Sequence, residues 1–434
     1  NQSEKDYESS TLKGFSGNYD NFHDDPDSDL TINSPTPIPF DFSENTFEKL
    51  NTTVIINESY EYDGINNSQF TNPILPKDQD YLFVVRKEFT FENVQFSFSS
   101  SSSKKIGAIK IESTSPVVVR NCVFDGCSNN NGNAISILRH RSKKKIKDGE
   151  EDEILDNIFE DNIFKDCGNG SGYIIDVEND NDYFLFRNNT FLFTKPEKAC
   201  GAIKITKSAN VTITNCNFTK TKSDEGTIFY QPSQITDLPT FITIEKCIFS
   251  DVCGNNCRLD VKSEQSTISI NDCKFKFTST QSTSPSICAS ISTTGYVALT
   301  NNYVEGTISF INASELKTTP KIQNNYFKSI KSLQSYFFEI KHIIDFINIS
   351  NNIFDSFSES ESYESAIPIL ISRQDKQGFT LVFEDCTINS SYSNNTKGML
   401  YIEDNELLKN VEVMFERCKF DKNTSPNGYG VLYI

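Results

Sequence analysis

One spacing recurs along this chain of 434 residues and narrows what it can fold into. With Cys216 as position zero, apolar residues stand five and three places before it, Val211 and Ile213, and two after it, Phe218. The same frame is written around Asn45, Val94, Cys122, Asn189, Cys247, Cys273, Asn302, Asn352, Cys386 and Cys418. Asn162 and Asn325 carry it with one apolar position spoiled, by Asn157 and Pro320, which makes thirteen frames. Residues −5 and −3 share one face of a strand, and 0 and +2 share one face of another. The interval between the pairs is odd, so one continuous strand would turn them to opposite sides. A corner residue between them brings both inward.

A third strand follows. The string GAIKI occurs at Gly107–Ile111 and again at Gly201–Ile205, with relatives NAISI at Asn133, GYIID at Gly172, GTIFY at Gly226, GMLYI at Gly398 and GVLYI at Gly430. In it Gly201, Ile203 and Ile205 are expected to face inward, and Ala202 and Lys204 outward. Three short strands and three corners per turn make one rung of an all-β parallel solenoid, about a dozen rungs and about 60 Å long. A leucine-rich repeat has a similar period, but its leucine pattern is absent and no segment has sustained helical apolar spacing. The coil is expected over residues 40–434, after an acidic N-terminal arm or cap, 1–39, and with a charged surface insertion at 139–153.

Stacking rungs sets equal positions against each other. Asn302, Asn325 and Asn352 are expected to form one interior amide ladder, and Asn162 with Asn189 a shorter one. Cys216, Cys247 and Cys273 should form a column of buried thiols, and Cys386 with Cys418 another. Cys127 and Cys167 follow their landmarks by the same five residues, and a disulfide between them fits the permitted separation. The CGNNC string at Cys253–Cys257 lacks the second pair of a zinc site and reads as a corner. Asp25, Asp27 and Asp29 lack the glycine and distal glutamate of a calcium loop and read as a solvated acidic loop. No metal and no cofactor is expected.

Composition limits the partners. Net charge is −18, with no Trp and 35 Phe. That charge argues against nucleic acid and against an anionic membrane surface. No apolar run is long enough for a membrane helix, so any anchoring would come from sequence outside this segment. The chain starts at Asn1 without Met and stops inside a GAIKI-type strand, so processing before Asn1 and continuation of the coil beyond Ile434 are expected. Thirteen N-x-S/T sites occur, at Asn1, Asn51, Asn57, Asn66, Asn169, Asn188, Asn210, Asn217, Asn312, Asn348, Asn389, Asn394 and Asn423. None falls on an inward frame position, as a secreted, glycosylated rod requires.

The GAI strands, with the steps FDGC at Phe124, FKDC at Phe164 and FDKN at Phe420, resemble the repeats of the polymorphic outer membrane protein family. The resemblance spans residues 40–434 and implies a right-handed parallel β-helix displayed on a cell surface and used in adhesion. It carries over no catalytic residue. The function expected is therefore an extracellular or cell-surface adhesin or structural stalk, with a surface glycan, a protein ligand or self-association as partner. The alternative is a polysaccharide lyase or glycoside hydrolase. Outward Asp and Glu do not visibly line up, and His23, His140 and His342 are scattered, so no catalytic activity is expected.

Overall fold

The computed structural model describes residues 11–13, 41–98, 105–139, 156–194, 199–221, 226–231, 240–250, 259–276, 287–328, 338–355, 367–373, 379–389, 400–404, 411–423 and 432–433, with short gaps inside these spans. The chain winds as a right-handed parallel β-helix of three sheets, every strand pair parallel. The first sheet, 13 strands, holds positions −5 and −3; the second, 15 strands, begins one residue after the landmark and holds +2; the third, 14 strands, holds the GAIKI strands. Each turn of chain visits the three in that order. Residues 14–40 and 140–153, and with them most of the proposed arm and insertion, lie outside the described residues, as do Asp25, Asp27, Asp29 and Cys253–Cys257. From the arm, the strand Thr11–Lys13 pairs with Thr46–Glu48 at the start of the second sheet.

The corner between the first and second sheets is one residue in the left-handed region. Asn93, Asn121, Asp161, Asn188, Asn215, Lys246, Asp272, Asn301, Asn324, Asn351, Asp385 and Arg417 all have φ between 51° and 59°. Asn and Asp tolerate that conformation best among residues with a Cβ, and they hold most of these positions. The turn resolves the odd interval: Val211, Ile213, Cys216 and Phe218 are all buried, on two different sheets and at the corner that joins them. A further frame was missed by sequence reading, because a serine holds its landmark. Ser68 is 3 % exposed, between Ile65 and Phe70, and splits the long first interval into two turns.

Inside, equal positions stack. The phenylalanines at +2 form a continuous pile, Phe47, Phe70, Phe96, Phe124, Phe164, Phe191, Phe218, Phe249 and Phe275, with neighbouring ring centroids 4.7 to 5.7 Å apart. Phe420, in the last strand of the second sheet, is 39 % exposed. The amide ladders form as expected. Asn302 Nδ2 donates to Asn325 Oδ1 (3.0 Å) and Asn325 Nδ2 to Asn352 Oδ1 (3.0 Å), while the Asn302 and Asn325 backbone amides reach the same two oxygens. Asn162 donates to Asn189 in the same way, at 3.0 Å.

The cysteines whose side chains are described are thiols. Cys216, Cys247 and Cys273 stack in one column, each Sγ 3.6 Å from a carbonyl oxygen of the preceding rung. The bridge expected between Cys127 and Cys167 is absent; the two are buried thiols in contact. Burial, and after it the neighbouring thiol, raises the Cys127 pKa well above the ordinary value. A protonated thiol packs as a small apolar group and reacts slowly.

The third sheet differs from expectation at the start of its strands. The Ala108 and Ile109 amides both donate to Ala134 O, and those of Ala202 and Ile203 both donate to Thr227 O. Two donors on one carbonyl mark a β-bulge, which changes side-chain parity. Ala108 and Ala202 are therefore fully buried rather than outward. Gly107 and Gly201 instead lie beneath the rings of Tyr81 and Tyr173, where a Cβ would come within 2.3 and 2.2 Å of ring carbons.

Removing the middle amide of the long ladder should be more costly than removing a landmark thiol. Asn325→Ala strips acceptors from two Asn302 donors, and each orphaned buried donor costs about 1–3 kcal/mol. Urea unfolding should show a larger loss for Asn325→Ala than for Cys386→Ala; equal losses would contradict this account of the ladder.

Candidate ligand-binding faces

The outer side of the coil carries columns as regular as those within. On the first sheet Arg120, Glu160 and Arg187 occupy equal positions on successive rungs. Glu160 is 9 % exposed and bonded by Arg120 at 3.2 Å and by Arg187. Farther along, Glu384 and Glu416 are register partners, and Arg417 reaches both carboxylates together with Asp385. Outward carboxylates thus do line up at Glu384 and Glu416, contrary to expectation, but there they are locked to Arg417, and Glu160 is a single carboxylate held between two arginines. Such clamps hold rungs together.

The second sheet presents a different surface. Lys274, Tyr303, Tyr326 and Ile353 hold position +1 on four successive rungs. The tyrosine ring centroids are 5.5 Å apart, and the Lys274 ammonium lies 5.4 Å from the Tyr303 ring centre. Ile353 is 40 % exposed. Beside them runs the +3 column. Glu305 accepts from Tyr303 Oη (3.1 Å) and Lys328 Nζ (3.1 Å), and Asp355 accepts from Tyr326 Oη (3.0 Å). Desolvation alone would raise the Glu305 pKa, but hydrogen bonds from Lys328 and Tyr303 and the charges of Lys328 and Lys276 bring it below the ordinary value. Desolvation, and then Glu305, raises that of Tyr303. The result is a pair of half-exposed rings whose hydroxyls are fixed and whose faces are framed by charged hydrogen-bonding groups. Apolar faces with polar rims mark places where ligands pack.

The third sheet carries Lys110, Ser136, Asp176, Lys204 and Phe229 in one outward column. Tyr81 reaches over Gly107 and donates to Gly132 O at 3.0 Å. Burial raises its phenol far above the ordinary value; the hydrogen bond with Ser136 works against that rise, and the charges of Asp176 and Asp80 add to it. Lys204 Nζ stands 6.0 Å from the ring centres of both Tyr173 and Phe229. Tyr81, Tyr173 and Phe229 are nearly inaccessible, at 6, 4 and 3 % exposure. Sequence reading missed Tyr81 and Tyr173 because the bulge that turns them outward leaves no mark in the alternation.

Among the expected glycosylation sites, Asn51, Asn66 and Asn188 are exposed, whereas Asn57, Asn210, Asn217, Asn348, Asn389 and Asn423 are half-buried. Asn188 stands at a left-handed corner and donates to Asp161 at 3.0 Å. Asn1, Asn169 and Asn394, and the side chain of Asn312, lie outside the described residues. Among those described, no group of His, Cys, Asp or Glu is arranged to hold a metal ion.

No protein-family model matches the chain, and no curated protein is similar to it in sequence. Among solved structures, that of the periplasmic alginate epimerase AlgG aligns over 87 % of this chain and 77 % of its own, at 10 % identity and a TM-score of 0.30. That protein is an enzyme by its name, and the expectation that this chain lacks catalytic activity is not carried further.

The Glu305 fork has a signed pH dependence. Its folded pKa is depressed, so its stabilisation is present above the ordinary glutamate pKa and is lost as pH falls through the lower folded value. The melting temperature of Glu305→Gln should therefore lie below that of the wild type at neutral pH, with the gap closing in acid. A gap that widens in acid would contradict the assignment.

Proposed function

We propose that this chain is a secreted or cell-surface β-helix that binds glycan chains against its sides, in the manner of an adhesin. The carrying observation is the Tyr303–Tyr326 pair, with centroids 5.5 Å apart on adjacent rungs and both hydroxyls held by carboxylates. A pyranose ring offers an apolar C–H face that packs on an aromatic ring and hydroxyls that meet polar groups at its edge. Rungs about 4.8 Å apart present the same combination again at the next position. The sequons and the resemblance to polymorphic outer membrane protein repeats support an extracellular setting, and the net charge of −18 disfavours nucleic acid as a partner. A protein ligand or self-association would use the same half-buried rings less economically, because the charged +3 column on one side and the corner asparagines on the other leave a narrow apolar strip.

A second reading is favoured by the third sheet, where Ser136, Asp176 and Lys204 follow one another in an outward column and Tyr81 meets Ser136. A phenol held protonated, a carboxylate and an ammonium are the groups an enzyme needs to transfer protons on a polysaccharide. The name of the aligned solved structure agrees with this reading but does not carry it.

Binding to a glycan array should fall at least tenfold for Tyr303→Ala combined with Tyr326→Ala, with unchanged far-UV circular dichroism. Unaltered binding would remove these rings from the site. For the second reading, incubation with uronate and neutral polysaccharides followed by NMR should show a new product with the wild type and none with Tyr81→Phe. The absence of product from the wild type would end it.

A further inference from the structure

One row of exposed side chains belongs to none of these surfaces. It lies at position −6, at the leading edge of the first sheet, one residue before the first buried position of each frame. In rung order it reads Tyr183, Asn210, Phe241, Thr267, Tyr296, Thr319, Phe346, Thr380. Aromatic residues alternate with small polar ones, and the register places them side by side. Tyr183 pairs with Asn210, Phe241 with Thr267, and Phe346 with Thr380. The remaining steps follow from the pairing of the adjacent residues. Two contacts fix intervening polar groups: Asn210 Oδ1 accepts from the Phe241 amide (3.1 Å), and Thr319 Oγ1 donates to Phe346 O (3.4 Å).

These rings are not part of the core. Phe241, Tyr296 and Phe346 are 38, 40 and 41 % exposed, while the following residues, Ile242, Val297 and Ile347, are fully buried. Folding is served by the latter; it gains little from a phenylalanine in the former positions. The row is also uncharged from Tyr183 to Thr380, on a chain of net charge −18. An ionic partner would find nothing to pair with along it.

We propose that this row binds an extended, uncharged, β-1,4-linked polysaccharide laid along the axis of the coil, one aromatic ring to each disaccharide. The warrant is the period. Successive aromatics sit two rungs apart, about 9.6 Å along the stack. A two-fold β-1,4-linked chain presents the same pyranose face only at every second sugar, with a repeat of that order. Every ring then meets an equivalent C–H face, and the Asn and Thr between them meet the hydroxyl edges of the intervening sugars. At one end Tyr183 and Phe241 lean together over Asn210, with centroids 6.4 Å apart, leaving Phe241, Tyr296 and Phe346 as the regular part. No row member from Phe241 to Phe346 begins a sequon, although Asn348, two residues after Phe346 on the same outward face, does, as does Asn210. The inference shares with the proposed function the premise that the coil binds glycans, but it uses other residues and names a ligand class.

The test is retention of the whole chain by insoluble cellulose and chitin, and its mobility in gels containing soluble β-1,4-glucan or, as a control, α-linked glucan. The wild type should bind the β-1,4 polymers and not the α-linked one. Phe241→Ala, Tyr296→Ala and Phe346→Ala together should weaken binding at least tenfold, Tyr296→Ala alone by a smaller factor, and Tyr296→Phe hardly at all. Retention that survives the triple substitution, equal binding of α-linked glucan, or self-association through the row without glycan binding would each overturn the proposal. Failure of the row with array binding intact at Tyr303 and Tyr326 would leave the proposed function standing; failure of both would remove both.

Discussion

The left-handed residue before each landmark is the constraint on which the rest of this structure depends. Without it, the pairs at −5/−3 and 0/+2 would point to opposite sides of one strand, and no closed interior would form. With it, the chain turns sharply enough for two sheets to share a core, and the turn is the same on every rung. Equal turns place equal positions one rung apart. The phenylalanine pile, the amide ladders and the thiol column are consequences of that register rather than separate devices. Each is an interaction between identical side chains, which only parallel, in-register stacking can produce.

Much of this was legible in the sequence because the frame combines spacing with residue type. Asn, Asp or Lys ahead of a Cys or Asn, with Phe two places on, is a pattern a reader can count. Ser68 shows where counting stops. Serine satisfies the landmark by donating to the carbonyls of Phe42 and Asn66 (2.5 and 2.9 Å), so the rung forms although the expected letters are missing. The bulge at Ala108 and Ala202 was illegible for another reason. Strand parity was read from alternation, and a bulge breaks alternation at one residue while GAIKI remains a plausible regular strand. The glycine was taken for an inward position, whereas its lack of a Cβ is what admits Tyr173 across the outer face.

The faces that bear on function were harder to foresee for a reason rooted in the same geometry. An interior column is selected by packing and shows as repeated residue types. An exterior column is free to vary, and only its register makes it a surface. Lys274, Tyr303, Tyr326 and Ile353 have no common letter; they become one patch because they share position +1 on successive rungs. The ion-paired carboxylates illustrate the converse. Glu160 between Arg120 and Arg187, and Glu384 with Arg417, do align, yet their alignment is spent on cohesion between rungs. A chain with an excess of acidic residues needs such clamps where carboxylates would otherwise stack against each other.

A stack of this kind is also a ruler, and that separates it from a globular scaffold. Any outward property assigned to one frame position recurs at about 4.8 Å, and one assigned to alternate rungs recurs at twice that. Polymers with their own repeat can match such a ruler over many units, gaining affinity by summation where each single contact is weak. A small ligand or a folded protein has no repeat to match and profits from only one or two rungs. The exposed aromatics at position −6, Phe241, Tyr296 and Phe346, follow the double period, while the buried positions beside them follow the single one. Core packing imposes the single period, and in the proposed complex the double one matches the repeat of a polymer laid outside the coil.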